Sequence, residues 1–140
     1  MEIPEQHVLQ PIPLETVTLG GKLLELDNPY RHLGETLYPT LYASYAEVCA
    51  SIPAPEGLTP VGMAIVLTLQ AIERRTAGQA GYLLKMDLRW KYALHLSLDH
   101  PGCTGRDLRT FQKRVQIAKP PLNEQLAAID AAVRHLFTSR

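Results

Sequence analysis

The sequence predicts a mainly α fold, a compact bundle of about five to six helices with a helix-turn-helix-like core and an irregular N-terminal arm. Three observations predict it. From Leu41 onward, apolar residues recur at three- and four-residue spacing, the period of a helix with one buried face. Proline and turn clusters cut that pattern into helix-length pieces at Pro53-Ala54-Pro55, Asp99-His100-Pro101-Gly102 and Lys119-Pro120-Pro121. Before residue 41, by contrast, Pro4, Pro11, Pro13, Gly20-Gly21, Asn28-Pro29, Gly34 and Pro39 interrupt every apolar run. The expected organisation is an acidic arm over residues 1–40 and a helical domain over 41–140.

Within the arm no long helix is expected. Glu15-Thr16-Val17-Thr18-Leu19 and Lys22-Leu23-Leu24-Glu25-Leu26 flank Gly20-Gly21, which suits a two-residue β-hairpin turn needing positive φ. An irregular arm laid over the helical core accommodates the same residues. Leu41–Ser51 then predicts a first helix, stopped by Pro53-Ala54-Pro55. Thr59-Pro60 supplies a capping hydroxyl and a proline at the first helical position. Val61, Ile65, Leu69 and Ile72 follow on one face with Met63, Ala64, Val66 and Leu67 around the sides, so this helix should lie at the domain centre.

The stretch from Thr76 to Val115 predicts three short helices, Thr76 to about Lys85, Leu88 to about Leu96 and Gly105 to about Gln116. Tyr82 and Leu83 give the first an inward face. In the second, Leu88, Tyr92 and Leu96 form a stripe with Trp90 and Leu94 beside it, and Arg89 and Lys91 flank the tryptophan. Such stripes mostly build cores, which makes Trp90 a core anchor before it is a platform for a base. The third commits Leu108, Phe111 and Val115 to packing. Arg106, Arg109, Thr110, Gln112 and Lys113 fall on its other faces, and these are residue types that reach phosphates and base edges. A solvated charged face accounts for them equally well. After Pro121, the repeat Leu122, Leu126, Ile129, Val133, Leu136 predicts an amphipathic last helix, packed on the domain or serving as a homodimer seam.

The run RWKYALHLSLDHPG, followed by LRTFQKRV, resembles the N-terminal domain of insertion-sequence transposases of the DDE class. In that family a WKYALGL-type helix leads through DDPG into a Leu-x-x-Phe-x-x-Arg helix. The correspondence runs without a gap from Thr76 to Val115, through Trp90, Tyr92, Asp99, Pro101, Gly102, Leu108, Phe111 and Arg114. Departures are Thr76-Ala77-Gly78-Gln79-Ala80 in place of a Ser-Asp-Arg-Glu-Ala start, Arg106 at the position of a Ser cap, and Gln112 for a basic residue. The resemblance implies binding of double-stranded DNA at element ends, with Arg106, Arg109, Thr110, Gln112 and Lys113 as readers and Arg89 and Lys91 in support. The alternative is a helical interaction or dimerisation module that keeps the fold without the DNA.

The 140 residues suit one domain, and the formal net charge is zero. That zero is the sum of unlike parts: residues 71–119 hold ten basic against four acidic residues, a net +6, and the remainder is −6. A basic segment beside an acidic one points to a polyanion-binding face and a separate arm. No apolar run approaches the roughly 18 residues of a membrane span and the N-terminus lacks a signal-peptide pattern, so a cytoplasmic protein without a membrane partner is expected. Cys49 and Cys103 lack ligand spacing and are expected as reduced thiols. There is no Gly-rich phosphate loop, nucleophile elbow, HExxH or Cys/His cluster, and the three carboxylates that transposases use for two-metal phosphoryl transfer have no counterpart. The expectation is a non-enzymatic chain without metal or cofactor.

Overall fold

The computed structural model describes residues 8–138, and every regular element among them is helical. In order these are α1 (Leu14–Leu23), α2 (Pro29–His32), a π-helical turn (Leu33–Leu37), α3 (Tyr38–Cys49), α4 (Pro60–Ile72), α5 (Ala77–Met86), α6 (Leu88–Ala93), α7 (Gly105–Ile117) and α8 (Leu122–Thr138). Since α2, the π turn and α3 are continuous, there are seven helical rods among the described residues, slightly more than expected. The additional rod is α1, from the region read as an arm, and the same region extends the expected Leu41–Ser51 helix back to Pro29.

At the centre stands α4, as its all-round apolar sequence requires. The Thr59 hydroxyl accepts from the Gly62 N–H at 2.9 Å, Pro60 starts the helix, and Val61, Met63, Ile65, Val66 and Leu69 are fully buried. Its most extensive neighbour is α8, whose Leu126, Ile129 and Val133 are buried in the same core. Of the two expectations for this stripe, packing on the domain or a homodimer seam, the first describes Leu126, Ile129 and Val133. Thr68 on α4 donates to Asp130 on α8 at 2.7 Å, which satisfies a buried hydroxyl.

Neither the hairpin nor the irregular arm is found over residues 14–40. Helix α1 runs straight through Gly20-Gly21, and the reason is tertiary. A Cβ at Gly20 would overlap the Tyr92 ring, so this glycine permits α1 to lie on α6 and makes no turn. The Thr16 hydroxyl donates to the Leu96 carbonyl at 2.7 Å and fixes the same contact. Asn28 caps α2 by accepting from the Tyr30 N–H at 2.9 Å, with Pro29 at the first helical position. Pro39 has no N–H to carry the ordinary ladder onward, and the one-residue widening over Leu33–Leu37 falls directly before it. Gly34 in that turn lies against the Tyr92 carbonyl. Tyr30, Leu33 and Tyr38 are all buried in the common core.

Helix α6 is thereby enclosed, and Trp90, Tyr92 and Ala93 have no exposed surface. It ends at Ala93, earlier than expected, because His95 adopts a positive φ of 60° and turns the chain. Helix α5 meets α7 by a different face from the one expected. Ala80, Gly81 and Leu84 are buried whereas Tyr82 is 60% exposed. A Cβ at Gly81 would overlap the Cys103 carbonyl, so the small face of α5 approaches the Gly102–Thr104 turn and leaves the tyrosine outside.

Candidate nucleic-acid interface

Helix α7 owes its position to both of its ends. Thr104, not Arg106, is the cap: its hydroxyl accepts from the Asp107 N–H at 3.0 Å while Asp107 accepts from the Thr104 N–H at 3.0 Å. Further along, Leu108 and Phe111 are buried and Val115 half-buried, which anchors one face in the core. Arg106, Arg109, Thr110, Gln112 and Lys113 are all exposed, on the faces the spacing assigned to them, and Arg114 is exposed beside them.

Four of the cations outside this helix are paired with acids, whereas Lys22, Arg74, Lys85 and Lys119 carry no salt bridge among the described residues. Arg31 bonds Glu35 at 3.0 Å, Arg89 bonds Asp87 at 2.7 Å, Arg134 bonds Asp130 at 2.8 Å and Arg75 lies 3.6 Å from Glu73. Among the described residues, no salt bridge reaches Arg106, Arg109, Lys113 or Arg114. The acid of α7, Asp107, is occupied by its cap. The exposed side of α7 therefore presents four cations with no acid paired to them.

One edge of that side faces the Pro53-Ala54-Pro55 loop across a groove of about 300 Å³, to which Arg106, Thr110 and Arg114 contribute from α7. The loop is held at both ends by buried Ile52 and Leu58. It is also held from the facing turn, where the His100 ring lies with Nε2 2.9 Å from the Glu56 carbonyl oxygen and Nδ1 accepting from the Gly102 N–H at 3.0 Å. Both ring nitrogens of His100 are thus used in holding the turn and the loop. Compared with protein-family models, with curated proteins and with solved structures, the chain has no match. The resemblance of the central stretch to transposase N-terminal domains therefore rests on its own residues.

The two supporting cations do not join this surface. Arg89 lies in a bidentate bond with Asp87, Nε to Oδ1 at 3.1 Å and a terminal nitrogen to Oδ2 at 2.7 Å, with its guanidinium carbon 4.9 Å from the centre of the Tyr30 ring. Burial alone would raise the Asp87 carboxyl, but the hydrogen bonds and charge of Arg89 hold it below the usual range. Lys91 is only 3% exposed and donates to the Ser97 and His100 carbonyls at 3.1 and 2.8 Å. Burial lowers its pKa, with Asp99 opposing. Trp90 between them donates to Glu73 at 2.8 Å from inside the core, where no base can reach it. Arg114, which the sequence analysis leaves out of the candidate set, stands four residues beyond Thr110 and eight beyond Arg106 and so lies along the same edge of the helix.

Burial pushes both cysteine thiols up, each to about 11, with Asp107 adding to the effect at Cys103. No group of three His, Cys, Asp or Glu residues among those described is placed to hold a metal ion, and no helix among them is long and apolar enough to cross a membrane.

Proposed function

We propose that the chain is a DNA-binding module in which α7 lies in the major groove of double-stranded DNA, with α5 packed behind it in a helix-turn-helix-like arrangement. The observation that carries this reading is the set of unpaired cations on the side of α7 opposite Leu108 and Phe111. Arg109 and Gln112 have the donors and acceptors to read base edges, and Lys113 suits phosphate. The resemblance of the central stretch adds the target, the ends of an insertion element, and a role that is occupancy of those ends without a bond-breaking step. Titrating Arg109→Ala and Lys113→Ala on selected and random duplexes at several salt concentrations tests it. Arg109→Ala should lose about 1–3 kcal/mol mainly on the selected duplex, whereas Lys113→Ala should weaken binding on all duplexes and lower the salt slope by about one unit. Binding of both variants to every duplex like the unmodified protein would remove α7 as the reader.

A second reading, an interaction module, draws on Leu19 and Leu23, exposed on α1, and on Tyr82 and Met86, exposed on α5. It predicts association that depends on protein concentration and is indifferent to salt.

A further inference from the structure

We infer that the groove between the Pro53-Ala54-Pro55 loop and α7 receives one phosphodiester strand of the duplex, with Arg106 and Arg114 taking its phosphates. This rests on the DNA-binding reading and divides the helix into a gripping edge and a reading edge. Eight residues separate the two arginines, about 12 Å along the helix axis. They therefore bracket the groove and do not crowd one point in it. Between them Thr110 offers a hydroxyl donor to the same strand. Arg109, Gln112 and Lys113 lie around the helix from this edge and do not line the groove.

The walls favour a phosphate strand over an acidic peptide. An extended peptide gains its affinity from backbone hydrogen bonds, and Pro53 and Pro55 have no N–H to give. A phosphodiester asks less of that wall, because its charge is met by the guanidinium groups opposite, which match phosphate oxygens two at a time. The wall residues Pro53, Ala54 and Pro55 carry no charge that would compete for those groups, and Phe111 adds an apolar surface. Asp107 is the one acid lining the groove, and one of its carboxylate oxygens accepts from the Thr104 N–H. Two arginines against that one acid leave the groove cationic. The anchoring of the loop by Ile52, Leu58 and the His100 contact to Glu56 gives a wall held in place before any ligand arrives.

Ala54→Glu and Arg114→Gln in the full chain test the groove without touching Arg109 or Lys113. The probes are a random-sequence duplex and the best-bound duplex selected from a randomised pool, each titrated at several salt concentrations. Ala54→Glu places a carboxylate on the wall and should weaken both duplexes about tenfold or more. Arg114→Gln should lower the salt slope by about one unit on both, with the ranking of sequences unchanged. If both variants bind like the unmodified protein while Arg109→Ala loses affinity, the groove is empty in the complex and only the reading edge stands. A changed ranking of sequences would make the groove a reader of bases, against the inference. Should the unmodified protein bind neither duplex, the DNA reading itself falls and the groove falls with it. If Ala54→Glu melts early, Arg114→Gln, exposed on α7, decides by its slope alone.

Discussion

Lys91 and Lys113 are the same residue type on short amphipathic helices, yet one lies under the Ser97–His100 turn and the other in solvent. Helical spacing cannot separate them, because the difference is made by the turn after α6, which folds back so that its Ser97 and His100 carbonyls accept from Lys91. Arg89 is decided in the same way, by Asp87 on one side and the Tyr30 ring on the other. Asp87 allows that arrangement to be tested. It accepts from the Arg89 N–H at 2.8 Å as the cap of α6, a role asparagine fills equally well, so Asp87→Asn removes the charge and keeps the cap. The folded chain holds the Asp87 carboxyl below its unfolded value, so its charge contributes stability above the unfolded value of about 3.9 and loses it as pH falls through the folded value. Urea denaturation should find Asp87→Asn less stable than the unmodified protein at neutral pH, with the difference closing in acid below the usual carboxylate range. A difference that persists unchanged into that range would mean the charge pair with Arg89 contributes nothing.

The glycines decide at the scale of elements what hydrophobic periodicity leaves open. In α5, Gly78 and Gly81 both weaken a helix intrinsically, by about 1 kcal/mol each relative to alanine. Their surroundings differ: a Cβ at Gly78 meets nothing, whereas one at Gly81 overlaps the backbone of Cys103. Gly78→Ala should therefore raise the melting temperature and Gly81→Ala should lower it, read by circular dichroism. Equal behaviour of the two would remove the close approach of α5 to the Gly102–Thr104 turn and with it the support of α7. The same physics explains which elements the sequence made legible. Helix α4 is a long run apolar all round and α7 and α8 carry long one-sided apolar periods, and all three end within a residue or two of the expected bounds. Helix α1 was hidden because Gly20-Gly21 is a turn signal in isolation, and only the Tyr92 ring explains why a helix tolerates it. Tyr82 is expected inward because large apolar residues usually go in; the close contact of Gly81 one residue earlier turns it out.

For the whole molecule, the open question is whether residues before 41 are an arm or part of the core, and the buried contacts answer it. Tyr30, Leu33 and Tyr38 are each less than 7% exposed, and their burial contributes of order 1.5–3 kcal/mol apiece. Together that is comparable with the 5–15 kcal/mol that typically separates a folded domain from its unfolded chain. Polar ties run the same way. The Tyr30 hydroxyl shares the Glu73 carboxylate with the Trp90 indole, the Tyr92 hydroxyl donates to Glu35, and the Thr16 hydroxyl donates to the Leu96 carbonyl. Removing residues 1–40 would strip α1, α2 and the π turn from α6, leaving the Tyr92 side chain without its cover and Glu73 without one of its donors. A fragment of residues 41–140 should therefore lack a cooperative thermal transition, and its Trp90 emission should shift to the red of the full chain. Cooperative melting of that fragment with Trp90 emission unshifted would return residues 14–40 to the status of a dispensable arm. Were that so, the cationic helix and its groove would stand on α4, α5 and α8 alone, and the fragment would bind a duplex as the full chain does.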